Sequence, residues 1–249
     1  MIHPGMSTIR ARMSMITDIC VMHILLAAAT TLEIQPTTRF LEAGGFRLGG
    51  HEITVLTTGV GSLATLYSLM AEVVRRRPAV VIQAGIAGCF TGKRPGELVA
   101  VKEEMPDLGV WEGGGFKTLF DMGLAGADDL PYSGGLLVNP YKKLLELSGL
   151  EQVRAISVNE ITTDPARIEW HQQNGKPVVE SMEGAALHYG CLSRQIPFLQ
   201  IRSVSNEVGV RDKAKWDIPV AVRRLNEKLA GLLEQLAGQD ETLLEKIGK

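Results

Sequence analysis

The sequence predicts one α/β domain, a three-layer sandwich with helices on both faces of a central mixed, largely parallel sheet. Three observations carry this. Apolar runs of strand length alternate with helical segments along the chain. The runs are continuously apolar rather than alternating, so both of their faces are covered. No linker divides the 249 residues, 45% of them hydrophobic, and that length supports a single such core.

In chain order, residues 1–21 read as a poorly ordered extension, 22–238 as the domain and 239–249 as a charged, fraying tail. Arg10 and Arg12 ahead of the apolar run 19–29, with its Ala-x-Ala, outline a secretory signal. The segment 23–29 fits a buried first strand better, with Met13, Met15 and Met22 as alternative starts ahead of it. No uninterrupted apolar stretch reaches the roughly 20 residues of a membrane-spanning helix.

Strands are expected at 24–29, 53–57, 79–84, 98–101, 153–158, 177–181 and 198–203. Helices are expected at 62–77, 184–194 and 218–236. In the first of these, Leu63, Leu66, Leu69, Met70 and Val73 fall at helical spacing, with Ser62 as cap and Pro78 as stop. Between 103 and 139 periodicity disappears and glycine accumulates, from Gly113-Gly114-Gly115 to Gly134-Gly135. This is a long loop-rich excursion, either a surface insertion or a border of a ligand site.

With 26 basic and 28 acidic residues, the net charge of −2 excludes a nucleic-acid or anionic-membrane footprint and leaves a small, modestly charged ligand. Cys20, Cys89 and Cys191 are odd in number and form no CxxC or Cys/His pattern. They imply reduced thiols in the cytosol and no structural zinc.

Thr58-Gly59-Val60-Gly61-Ser62-Leu63-Ala64 matches the dinucleotide fingerprint G-x-G-x-x-A. The next strand ends in Gln83, however, and not in the acid that holds an adenosine ribose, which argues against NAD. The same glycines suit a turn where backbone approaches a ligand or neighbouring strand closely. His188 and Tyr189 read as packing groups within a helix, and Arg75-Arg76-Arg77 as a helix end.

The chemistry concentrates in Val178-Val179-Glu180-Ser181-Met182-Glu183-Gly184-Ala185-Ala186 and in Ile201-Arg202-Ser203-Val204-Ser205-Asn206. Both are polar clusters at strand ends, where open α/β sheets bind ligands. A carboxylate between apolar stretches is costly to bury unless it is hydrogen-bonded, and a vicinal diol offers it two donors. The alternative for Glu183 is a helix-terminal acid complementing the dipole. The Asn206 amide can donate to acceptors of a ligand, or it can cap the loop that begins at Glu207.

These residues resemble the purine nucleoside phosphorylase and nucleosidase superfamily over residues 22–236. Asp107-Leu108-Gly109-Val110, Gly113-Gly114-Gly115-Phe116, Asp121-Met122-Gly123-Leu124, and Ser205-Asn206-Glu207-Val208-Gly209 leading to Trp216-Asp217-Ile218-Pro219 are similar to its futalosine hydrolase branch. The resemblance implies a nucleoside phosphorylase-like sheet. Gln83-Ala84-Gly85-Ile86-Ala87-Gly88 stands where the superfamily has a Gly-Ser-Ala-Gly or Gly-Thr-Ala-Gly turn after a central strand. Ile86 therefore replaces the hydroxyl that phosphorylases use for phosphate. Glu33 takes the place of the glutamate that activates water in nucleosidases, and no arginine follows the first strand before Arg39.

The implied roles are Glu33 as base and Asn206, where adenine-releasing relatives carry Asp, as stabiliser of the departing base. Met182 would pack on the ribose and Glu183 would hold its hydroxyls. Ile86, Ala87 and Gly88 would bring backbone amides to the ligand. Arg202 and Ser205 would organise Glu183 and the Asn206 loop. The expected activity is hydrolysis of futalosine to hypoxanthine, a step of menaquinone synthesis, in a cytoplasmic homo-oligomer with a nucleoside substrate and no metal or organic cofactor. The alternatives are a 6-oxopurine nucleoside phosphorylase, a methylthioadenosine/adenosylhomocysteine nucleosidase, and a non-catalytic nucleoside-binding protein on the same fold.

Overall fold

The computed structural model describes residues 21–238. The N-terminal extension with its signal-like outline, the alternative starts Met13 and Met15, Cys20 and the charged tail 239–249 lie outside the described residues. The chain runs β1 (His23–Ala28), α1 (Thr31–Ala43), β2 (Arg47–Leu48), β3 (His51–Thr57), α2 (Ser62–Arg75), β4 (Val80–Cys89) and β5 (Leu98–Pro106). It continues through β6 (Gly109–Glu112), β7 (Gly115–Thr118), β8 (Leu137–Val138), α3 (Lys142–Leu147), β9 (Glu151–Ser157), α4 (Pro165–Gln173), β10 (Val179–Ser181), α5 (Gly184–Arg194), β11 (Phe198–Glu207) and α6 (Ile218–Ala237).

β1 shows why continuous apolar character predicts a sandwich. Ile24 and Leu26 pack with Ile34 of α1 and Leu225 and Leu229 of α6, whereas Leu25 packs with Leu69 of α2 and Leu187 of α5. Successive side chains of a strand point to opposite faces, so a strand buried on both must be apolar throughout. α6 holds its place by one face, with Leu225, Leu229, Leu232, Leu233 and Leu236 buried and Asp217 accepting the Val220 amide at its start.

The main sheet has the order β10-β9-β5-β11-β4-β1-β3-β2, with β8 beside β5. β1, β3, β4 and β11 run parallel to their neighbours in this set, β5, β9 and β10 likewise, and β11 meets β5 antiparallel. β10 also pairs antiparallel with β4, so β4, β11, β5, β9 and β10 close into a ring at one side of the sheet.

Some expectations need correction. Ser62 is the first residue of α2 and not its cap; Gly61, at φ 92°, takes the cap position. The helix ends at Arg75 instead of Arg77, because Pro78 disfavours the helical conformation at the residue before it. Gln83 to Gly88 is no turn: β4 runs through it, paired with β11 along its length, with β1 at Gln83 and with β10 at Gly88. β11 likewise extends to Glu207, past a bulge between Val204 and Asn206, which puts Asn206 on a strand.

The segment 103–139 is not loop throughout. β5 continues to Pro106, and β6 and β7 form a hairpin. Gly113 and Gly114, at φ 60° and 77°, fill the two-residue turn that demands positive φ at both positions. The hairpin's Trp111 and Phe116 meet Trp170 of α4 edge to face.

Candidate active site

A cleft of about 290 Å³ opens where β1 enters α1, β10 enters α5, and β4 and β11 lie side by side. That is the small end of the range for small-molecule sites and suits one nucleoside-sized ligand. Its wall contains Glu33, Ile86, Ala87, Gly88, Met182, Glu183, Ser205 and Asn206. Arg202 does not line it.

Glu33 is the third residue of α1 and forms a capping box with Thr30. Its Oε2 accepts from the amide and the hydroxyl of Thr30, both at 2.9 Å, and its Oε1 accepts from the Ile86 amide at 3.0 Å. At 6% exposure it is no solvated surface acid. The Ile86 amide, expected to meet ligand, is taken up in aiming Glu33. A carboxylate offers about four lone-pair sites, so a water can still bind this one.

Glu183 occupies the cap position of α5 without making a side-chain cap bond. Its carboxylate is held instead by the Gly61 amide at 3.1 Å and by Nη1 of Arg202 at 3.5 Å. The dinucleotide-like glycine turn therefore supplies a donor to an acid on a distant helix. Ser62 adds a bond from its hydroxyl to the Met182 carbonyl at 3.0 Å.

Arg202 lies behind the cleft at 1% exposure, with Nη2 donating to Gln83 Oε1 at 2.9 Å. A Cβ at Gly85 would run into Nη1 of Arg202 and stand 2.9 Å from Oε1 of Glu33. Only a residue without a side chain leaves room at this position for the guanidinium that reaches Glu183. Its expected contact with the Asn206 loop is not made. Ser205 serves there, with its hydroxyl 2.7 Å from Asn206 Oδ1 and 3.2 Å from the Ala87 carbonyl. Asn206 Oδ1 is thus tied back, and Nδ2 donates one hydrogen to the Glu207 carbonyl at 3.0 Å, leaving one for a ligand.

A second layer supports Glu183. Ser157 Oγ accepts from the Ala185 amide at 2.7 Å and donates to Oε1 of Glu104 at 2.9 Å, so the first turn of α5 rests on Glu104. Burial pushes the Glu104 carboxyl up to about 7, against the opposing Ser157 bond and the charge of Arg202. The linkage runs one way: a raised folded-state value favours folding fully below the ordinary 4.5, and this contribution is lost as pH rises through about 7. Wild type should therefore lose on the order of 3 kcal/mol relative to Glu104→Gln between those limits. Urea unfolding of both proteins at pH 5 and pH 8 checks this; parallel changes would remove Glu104 as the cause.

His188 is fully buried and lies edge to face on Phe198 at 4.6 Å. Its Nδ1 meets the Leu137 carbonyl at 2.9 Å, and burial pushes it down to about 4. It is a neutral core group, as its place in a helix suggested.

Among the cleft-wall residues that sequence reasoning passed over are Glu180 and Ser181. Glu180 is 6% exposed, and its Oε1 accepts from the Thr162 amide at 3.1 Å. Its Oε2 and the Ser181 hydroxyl have no partner among the described residues. Burial raises the Glu180 carboxyl above its ordinary value. The signal was available, since Glu180 is also a carboxylate in an apolar stretch. None of the residues lining the cleft comes from 103–139.

Comparison with known proteins gives the family and the fold. A model of the phosphorylase superfamily matches residues 21–237. The futalosine hydrolase of Acidothermus cellulolyticus is 34% identical over 185 residues, 72% of this chain and 74% of that one. The futalosine hydrolase of Streptomyces coelicolor is 29% identical over 233 residues, 86% of this chain and 97% of that one. Among solved structures, the futalosine hydrolase of Helicobacter pylori superposes with a TM-score of 0.69 at 18% identity, covering 86% of this chain and 98% of that one.

Proposed function

This chain belongs to the phosphorylase superfamily, and we propose that within it the protein is an N-ribosyl hydrolase cleaving futalosine to hypoxanthine and dehypoxanthine futalosine, a step of menaquinone biosynthesis. The observation that carries the hydrolytic reading is Glu33. It is a buried carboxylate on the cleft wall, aimed by Thr30 and by the amide of Ile86, at the position where Ile86 supplies no hydroxyl for phosphate. The similarity to futalosine hydrolases supports the choice of substrate.

Cleavage of an N-ribosidic bond develops positive charge on the sugar and negative charge on the base, and both must be stabilised. Glu183, fixed by Gly61 and Arg202, accepts from the ribose hydroxyls, and Met182 packs on the sugar. Glu33 positions a water and takes its proton as the oxygen bonds to the anomeric carbon. The electron pair of the broken bond passes to the base, which leaves as the purine anion with Asn206 donating its remaining hydrogen toward it and then takes a proton from solvent to give hypoxanthine. Asparagine stabilises the leaving base without transferring a proton, and it favours an acceptor such as O6 over the amino group of adenine. Ala87 and Gly88 leave room for the base beside the backbone.

The protein acts in the cytoplasm as a homo-oligomer. Supporting this, Cys89 and Cys191 are buried free thiols, and Leu63, Tyr67 and Val74 form an exposed apolar face on α2. Among the described residues no helix is long and apolar enough to cross a membrane. Incubation with futalosine, inosine and methylthioadenosine, followed by detection of free base, tests the substrate reading. Futalosine should give the highest specificity constant, and faster release of adenine from methylthioadenosine would overturn it.

A further inference from the structure

Gly88 of β4 pairs with Asn206 of β11 on one side and with Glu180 of β10 on the other. Residues in register on neighbouring strands project to the same face. Asn206 and Glu180 therefore flank a glycine on one floor, about 10 Å apart by two strand spacings. Gly88 adds no side chain between them, where even a Cβ would be crowded, 3.1 Å from Val208 and 3.5 Å from Asn206 Nδ2. All three residues, with Ser181, line the cleft.

The two ends of this row offer opposite hydrogen-bonding character. Asn206 has its oxygen tied to Ser205 and presents a donor. Glu180 has one oxygen tied to the Thr162 amide, leaving the other without a partner. A planar base held in the cleft between these two side chains would thus meet a donor at one edge and an acceptor at the next. A 6-oxopurine has the complementary pattern, with O6 and N7 as acceptors and N1–H as donor. Adenine carries an acceptor at N1 and would leave Glu180 facing a lone pair.

We propose that Glu180 is a specificity-determining residue that accepts the N1–H of the 6-oxopurine base, opposite Asn206 across Gly88. The inference rests on the hydrolase reading and deepens it by assigning the second edge of the base. It also accounts for the Thr162 amide, which fixes the carboxylate so that one oxygen stays available to the ligand.

The test is calorimetric binding of hypoxanthine, 1-methylhypoxanthine and adenine to wild type and to Glu180→Gln. Loss of a hydrogen bond to a charged group should weaken hypoxanthine binding to the variant roughly 10- to 150-fold and leave adenine binding unchanged or improved, because glutamine can turn its amide hydrogens toward N1. Wild type should bind 1-methylhypoxanthine at least about 10-fold more weakly than hypoxanthine. This ligand-side comparison stands even if the variant fails to fold.

Equal hypoxanthine affinity in wild type and variant would overturn the proposal while leaving the hydrolase reading intact. So would an equal loss for hypoxanthine and adenine, or wild-type binding of 1-methylhypoxanthine as tight as that of hypoxanthine. Wild type that binds adenine but no hypoxanthine would overturn both.

Discussion

Glu33→Gln should lower the turnover of futalosine by roughly 100- to 10,000-fold, the usual cost of losing a general base, while substrate still binds. The substitution keeps size and leaves an oxygen that can accept from Thr30 or from Ile86. It adds amide hydrogens where the other oxygen now accepts, so the helix start should loosen by about 1 kcal/mol. Turnover and substrate affinity must therefore be measured separately. Near wild-type turnover would mean that water is activated elsewhere, whereas loss of binding without loss of turnover would make Glu33 a purely structural cap.

Arg202→Met should have the largest effect on stability. The guanidinium is fully buried, pairs with Glu183 at 3.5 Å and donates to Gln83 at 2.9 Å. Removing one partner of a buried pair leaves an uncompensated charge and costs roughly 3–5 kcal/mol. Combining it with Glu183→Gln should recover part of that cost, because the stranded charge is gone, although ribose binding stays impaired. A loss below about 1 kcal/mol in urea unfolding would show that water or movement of Glu183 compensates, and that Arg202 is not what holds the carboxylate.

The layered fold was legible because β1 and the start of β4, Val80 to Ile82, are apolar and buried on both faces, a property written locally in the chain. The closure of β10 against β4 was not. Val179 and Glu180 meet Cys89 and Gly88, a contact between segments far apart in sequence that no local periodicity encodes. Gln83 to Gly88 resembles a turn for a separate reason. Small residues signal a tight bend or a close approach, and here it is the approach of Arg202 and Glu33 to Gly85.

Among the site residues, Glu33 and Glu183 stood out by the cost of burying a carboxylate. Their partners were harder to see, because the backbone amides of Ile86 and Gly61 carry no side-chain signature. Glu180 escaped notice because its neighbour Glu183 already satisfied the pattern. Arg202 was identified, but only the strand register shows that it backs the cleft instead of lining it. Gly113 and Gly114 sit in a stretch without periodicity and so read as loop, although a glycine pair between short runs is also a hairpin signal.

The central claim is that water, and not phosphate, attacks the ribose. Its most direct measurement is the product formed from futalosine in buffer freed of phosphate, compared with the same reaction in phosphate. Hypoxanthine and a free reducing sugar should appear at the same rate in both. Base release that requires phosphate, with recovery of a ribose 1-phosphate ester, would contradict the account.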